Sequence, residues 1–341
     1  MAGFDVSKEW AILVPPNSAA AKKGAEDISR CIALLRKDKG QDAPALLDAS
    51  GDAPPESVPV IVLNSENAGP ERNGFTWRAG AARVEIFGES PRGLCKGVYD
   101  FLLSLGISWP EPGKEVLPSP AENDIYPFKT NGAYQPSKFE GEDLKKAPWH
   151  RFVVKTKKTS LKSSKKREAF VAWAARNKYD ALVFPLECLD KAPKLADDYA
   201  LLIEGGGREL SLLLPRKLFL FHKELFRMEE GKRQKRINFC PTNHETIKII
   251  RTEAEKYFRL SKNVKVFHLW PDKGGEKSWC SCPSCRAFTP AEQNRIAVNA
   301  AADALAVVNS NAFISFYESP EEGGDIPLRQ NLFKLEELPA E

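Results

Sequence analysis

Apolar positions along the chain follow two periods that alternate from one segment to the next. Near the N-terminus "EWAILVPP" is a short apolar run stopped by prolines and predicts a strand; after Ser18 the residues Ala21, Ala25, Ile28, Ile32 and Leu35 share one helical face. "VPVIVL" predicts a buried strand, and "GFTWRAGAARVEIFG" alternates around a glycine-containing turn as a hairpin does. Ser90 then caps a second helix with Pro91 at its first position. Leu94, Val98, Phe101, Leu102 and Leu105 form its apolar face and Gly106 its stop. These elements make a small α/β domain over residues 1–108.

From residue 109 to 149 proline, glycine and polar residues dominate without a sustained period, which predicts a linker. Strand-like and helix-like segments alternate after it. "RFVVK" precedes a helix carrying Phe170, Trp173 and Ala174, and "ALVFP" precedes a helical stretch near Leu195 to Ile203. "EGGGRE" reads as a turn and "ELSLLLP" as the third strand. A helix with Ile247, Ile250, Ala254 and Tyr257 follows, opened by a capping box of Thr242 and Glu245. "VKVFHLW" and "AFISFY" are the fourth and fifth strands, and Thr289, Pro290 and Glu292 open the long helix between them. The expected fold class is α/β: an accessory domain, then a (β/α) barrel of the TIM type over residues 150–341. Eight such units take about 250 residues, so this barrel is either partial or compact. The edges of a partial barrel need a cover: the linker, the tail, or a second copy of the chain in a homo-oligomer.

A length of 341 residues supports two cores without disulfide staples, and a net charge of +4 does not call for a polyanion, so nucleic acid is not an expected partner. The basic run "HRFVVKTKKTSLKSSKKRE" lacks interleaved aromatics and reads as a solvated face. No basic segment followed by an apolar core opens the sequence, and no apolar run is long enough for a bilayer. The expectation is a cytoplasmic protein without a membrane partner, whose seven cysteines stay reduced.

Chemistry collects in "HLWPDKGGEKSWCSCPSC", residues His268 to Cys285, in the loop after the fourth strand. Parallel barrels carry their functional groups in such loops. Asp272 and Glu276 lie just past the strand end, Glu187 follows "ALVFP", and Glu318 follows "AFISFY". Paired carboxylates beside an aromatic platform suit cleavage of a glycosidic bond, one protonating the leaving oxygen and one acting at the anomeric carbon. Trp270, His268 and Tyr317 are the residues that would line the sugar. Each acid also fits an ordinary solvated loop charge. Cys280, Cys282 and Cys285 are spaced to converge on one soft cation such as structural zinc. Cys240 in "NFCPTN" is the first choice of fourth ligand, with His268 or His244 behind it; the other reading is reduced thiols packed in a loop. Cys31, Cys95 and Cys188 stand in apolar contexts and read as core.

The stretch "VPVIVLNSENAGPERNGFTWRAGAARVEIFGESPRGLCKGVYDFLLSLGISWPEPG" resembles the non-catalytic accessory domain that precedes the barrel in alpha-glucuronidases and family 20 beta-hexosaminidases. "WAARNKYD", "LSLLLPRKLFLFHKELFRMEEGKR", "NFCPTN" and "WPDKGGEKSWCSCPSC" are similar to the glycoside-hydrolase-like domain of unknown function 4838, to which the family 163 endo-beta-N-acetylglucosaminidases are related. The resemblance implies a glycosidase-type barrel and Cys240 as partner of the cysteine triplet. The function expected is hydrolysis of an O-glycosyl bond in an amino-sugar or uronic-acid glycan. The alternative is a non-catalytic glycan-binding or scaffold protein that keeps the fold and a cysteine metal knot.

Overall fold

A computed structural model describes residues 3–38, 40–66, 73–121, 123–127, 131–134, 153–155, 163–191, 194–260, 263–272, 278–318 and 324–335. The chain divides into two compact units, Met1–Leu182 with Pro193–Leu202, and Val183–Ala192 with Ile203–Glu341.

In the first unit the chain runs β1 (Gly3–Asp5), β2 (Ala11–Val14), α1 (Ala19–Leu35), β3 (Ala45–Asp48), β4 (Val60–Ser65), β5 (Phe75–Ala79), β6 (Arg83–Gly88) and α2 (Pro91–Ser104). There follow β7 (Ser108–Glu111), β8 (Lys114–Val116), β9 (Ile125–Pro127), β10 (Asn131–Tyr134), β11 (Val153–Lys155), α3 (Ser164–Arg176), the start of β12 (Ala181–Phe184), and α4 (Leu195–Asp198). The main sheet has the order β10-β5-β6-β4-β2-β3. Strands β3, β2, β4 and β6 are parallel, and β5 forms the antiparallel hairpin with β6 that the alternation predicts. The predicted caps are in place: Ser18 and Ser90 accept from the amides of Ala21 and Gly93, and Gly106 ends α2 at φ +89°. The segment read as a linker instead supplies β7 to β10, with β10 at the sheet edge beside β5. Strands of three or four residues are too short to show a period in sequence.

Buried polar contacts hold α1 and α2 to the end of α3 and the residues after it. The Tyr99 hydroxyl donates to Asp27 at 2.7 Å and Arg176 reaches the same carboxylate at 3.2 Å. Lys96 pairs with Asp180 at 2.6 Å, both side chains almost wholly buried, and Asn73 donates to Asp180 at 3.2 Å. Burial pushes the Lys96 ammonium below its usual pKa, and Asp180 opposes that shift.

The second unit holds the end of β12, then β13 (Leu202–Gly207), a short ribbon of β14 (Met228–Glu229) and β15 (Lys232–Arg233), α5 (His244–Leu260), β16 (Val266–Leu269), α6 (Pro290–Val308), β17 (Phe313–Tyr317) and β18 (Leu332–Leu335). Its strands lie in the order β12-β13-β16-β17-β18, and β13, β16, β17 and β18 are parallel. Among the described residues β18 has one neighbour, so the unit is α/β with an open sheet, and barrel closure is not seen among them. The capping box of Thr289 and Glu292 on α6 is present. That predicted for α5 is not. The Asn243 side chain accepts from the amides of Glu245 and Thr246, and Thr242 turns to the cysteines.

The third strand is also displaced from its expected place. "ELSLLLP" forms a 3-10 helix at Leu210–Leu213, and the glycine run read as a turn is the strand β13. Apolar content favoured the wrong segment, because what selects this strand is close approach: a Cβ on Gly206, at φ +105°, would sit 2.1 Å from the His268 carbonyl oxygen. Likewise the helix expected from Leu195 to Ile203 is the four-residue α4. Among the described residues no helix is long and apolar enough to cross a membrane.

Replacing Lys96 by Met strands a buried Asp180 carboxylate and is expected to cost about 3–5 kcal/mol, read by urea unfolding of the full chain. Lys96→Met with Asp180→Leu should recover most of that loss. Equal destabilisation by the single and double substitutions would show that the pair is not what anchors this region.

Candidate functional site

The strand ends of the second unit carry the polar groups singled out in the sequence. Phe267 packs against Phe258 of α5 with ring centroids 4.5 Å apart, so alternation turns His268 to the opposite face of the sheet. There His268 has no exposed surface. Its Nδ1 lies 2.7 Å from the Ser315 hydroxyl and its Nε2 3.0 Å from the Glu204 carboxylate. The Trp270 indole N–H donates to the same Ser315 oxygen at 3.0 Å. His268, expected from the sequence to line a sugar, is here wholly buried and bonded to the oxygen that holds the indole. Trp270 is itself 6% exposed and Tyr317 half-buried, with the Tyr317 carbonyl accepting from Asn294. Glu204 and Ser315 went unnoticed in the sequence. A carboxylate inside an otherwise apolar and glycine strand was the available signal.

The four carboxylates have different settings. Asp272 is half-buried just past β16. Its Oδ1 accepts from the Ser211 hydroxyl at 2.7 Å and its Oδ2 from the Asn238 amide at 3.0 Å. Glu318 is buried against Arg295 and Lys334, with Arg295 donating at 2.6 and 3.0 Å and Lys334 at 3.1 Å. Burial works to raise the Glu318 pKa, but the two cations outweigh it and hold the carboxyl below its usual range. A carboxylate clamped in this way is a poor proton donor. Glu187 is exposed on the 3-10 helix after β12, and after burial its charge is the next cause of the raised pKa of Tyr257 on α5. Glu276 lies outside the described residues.

The structure does bring the cysteines together. The sulfurs of Cys240, Cys280, Cys282 and Cys285 are buried and all lie within 4.8 Å of one another. Cys240 is 3.7 Å from Cys282 and 3.6 Å from Cys285, too far for disulfides. These are the separations that tetrahedral geometry gives sulfurs about 2.3 Å from a shared ion, where the sulfur–sulfur edge is about 3.8 Å. All seven cysteines are free thiols. Within the group, bonds from the Cys280 and Cys285 thiols hold the Cys240 thiol far below its usual pKa. Cys280 is in turn pushed up to about 11 by its bond to Cys240, and Cys285 is raised for the same reason. The four sulfurs could hold a metal ion.

Neighbouring groups suit that role. The Met228 amide donates to Cys280 at 3.2 Å, and Arg233 approaches the same sulfur at 3.8 Å. Gln293 of α6 accepts from the Cys280 amide and donates to the carbonyls of Cys280, Cys285 and Phe288, which pins the cysteine loop to the helix. Cys240 and Cys282 also line an open cavity of about 420 Å³ with Arg233 and His244.

No family model matches the chain, and no curated protein matches it. Solved structures do. The exo β-N-acetylglucosaminidase of glycoside hydrolase family 20 from Vibrio harveyi superposes with a TM-score of 0.60 at 12% identity, over 98% of this chain and 54% of that one. The Flavobacterium johnsoniae chitobiase gives 0.59 at 13% identity, over 93% and 50%. The β-N-acetylhexosaminidase of Bacteroides fragilis gives 0.55 at 11%, over 96% and 66%. The chain thus spans about half the length of the first two. At such identities what is shared is the backbone arrangement: the chain has a fold like that of the family 20 β-N-acetylhexosaminidases.

Proposed function

We propose that the protein is a glycoside-hydrolase-like enzyme acting on an amino-sugar glycoside, with a structural zinc in the cysteine centre. The observation that carries this reading is Asp272: an oriented carboxylate at a strand end, two residues past Trp270, in a fold similar to that of β-N-acetylhexosaminidases. Both Asp272 oxygens accept hydrogen bonds, so its role is to stabilise positive charge at the anomeric carbon or to orient the reacting group. The proton donor is then Glu276, four residues on in the sequence, or Glu187. The motifs similar to domain of unknown function 4838 and to the family 163 endo-beta-N-acetylglucosaminidases agree with an amino-sugar substrate; a uronic-acid glycan is the alternative.

One observation favours the second reading, a glycan-binding protein without turnover: Glu318 is neutralised by Arg295 and Lys334 and so leaves the strand ends with fewer acids for catalysis. Hydrolysis of 4-nitrophenyl N-acetyl-β-glucosaminide separates the two. The enzyme should turn over and lose about 10²–10⁴-fold in kcat on Asp272→Asn, with its melting temperature little changed. A chain that binds N-acetylglucosamine equally well before and after the substitution, and never turns over, is the binding protein.

Zinc is favoured by the all-sulfur tetrahedral donor set. Protein purified without chelator should carry one zinc per chain by elemental analysis. Cys285→Ser should lose it and Cys188→Ser keep it. Chelation should lower the melting temperature, because the ion binds the folded chain alone. Metal-free protein of unchanged stability would return the four thiols to a packing role.

A further inference from the structure

We infer that Asn238 is a positioning residue that couples occupancy of the four-cysteine centre to the placement of Asp272. Its meaning for catalysis rests on the role proposed for Asp272, and the coupling rests on the ion proposed for the cysteine centre and on the geometry that follows.

Asn238 is fully buried and has φ +40°, a left-handed conformation that asparagine tolerates better than most side chains. Its backbone and side chain bond to a few neighbouring segments. Its amide donates to Asp272 Oδ2 at 3.0 Å, and its side-chain oxygen accepts from the Asp272 amide at 3.1 Å, so the two residues exchange a pair of hydrogen bonds. Its Nδ2 donates to the Ser278 carbonyl at 2.9 Å. Its own carbonyl accepts from Arg216 at 3.0 Å, and Arg216 also donates to the carbonyl of Ser211, whose hydroxyl holds the other Asp272 oxygen.

The positions in sequence give this knot its consequence. Asn238 stands two residues before Cys240, and Ser278 two residues before Cys280. The two segments that the Asn238 side chain joins therefore each run directly into a sulfur of the centre. An ion that binds both sulfurs fixes the segments relative to one another, and Asn238 passes that constraint to Asp272. Without the ion no covalent or coordinate bond ties Cys240 to Cys280, and the segments can separate. The Asn238 bonds to Ser278 and Asp272 are then the ones under load.

Amide hydrogen exchange of the full chain, zinc-loaded and zinc-stripped, tests the coupling. Stripping should speed exchange at the Asn238 and Asp272 amides together by about tenfold or more, the scale of two hydrogen bonds. The β16–β17 ladder should be unaffected. Asn238→Gly keeps a backbone suited to φ > 0 and removes the side chain. It should retain one zinc per chain yet show fast exchange at Asp272 even when loaded, and on 4-nitrophenyl N-acetyl-β-glucosaminide it should lower kcat with little change in KM. Asp272 exchange that ignores zinc overturns the inference, as does a loaded Asn238→Gly chain that keeps Asp272 protected, or a chain that takes up no zinc. Exchange coupling without any turnover would instead remove the catalytic reading of Asp272 and leave the coupling standing.

Discussion

The second unit depends on bringing Cys240 to a loop about 40 residues further along the chain, where Cys280, Cys282 and Cys285 lie. The segment between β13 and α5 has little local structure to sustain it: three short 3-10 turns and a ribbon of two-residue strands. Such pieces are marginal by themselves. What holds them is anchoring at a few buried points, namely Phe226 and Phe239 in the core, Arg216 across three carbonyls, and the sulfurs. Closing a long loop with a metal converts binding energy into folding energy, and the cost of closure grows slowly with length. A centre of four sulfurs is suited to that task. Gln293 ties the cysteine loop to α6, the longest described helix of the unit.

The chain of Glu204, His268, Ser315 and Trp270 solves a different problem. A buried indole N–H and a buried imidazole both need partners, and each added partner must itself be satisfied. The result crosses three adjacent parallel strands and specifies their register, since a slip by one residue would turn His268 and Ser315 toward the helices. The first unit uses charge in the same way, with Asp27 and Asp180 receiving groups from separate helices. In both units the apolar core supplies cohesion, and a small buried polar set selects the arrangement.

A glycosidase-like fold leaves room for either catalysis or binding, and the carboxylates decide between them. Asp272 is presented by neutral donors, whereas Glu318 is saturated by two cations. Two carboxylates, each just past the end of a parallel strand, thus have unequal electrostatic settings.

Apolar period made α1, α2, α5 and α6 legible from the residues alone, because their apolar faces span several turns, and the Ser, Thr and Pro caps of α1, α2 and α6 act locally; the apolar strands β2, β4, β5, β6, β11, β12, β16 and β17 were legible too. The spacing of Cys280, Cys282 and Cys285 likewise announced a cluster, and "NFCPTN" offered its fourth member. The sequence could not show that Gly206 sits in a strand, since the reason is the His268 carbonyl pressing on it from 62 positions away. Nor could it show that Thr242 leaves the helix cap for a sulfur, that Glu204 meets His268, or that Asn238 joins Asp272 to Ser278. Local sequence determines which segments are helix or strand and which chemical groups they carry. Tertiary structure alone decided which of those groups meet, because a hydrogen bond or a shared ion needs atoms within about 3–4 Å, and that proximity is set by packing between distant segments.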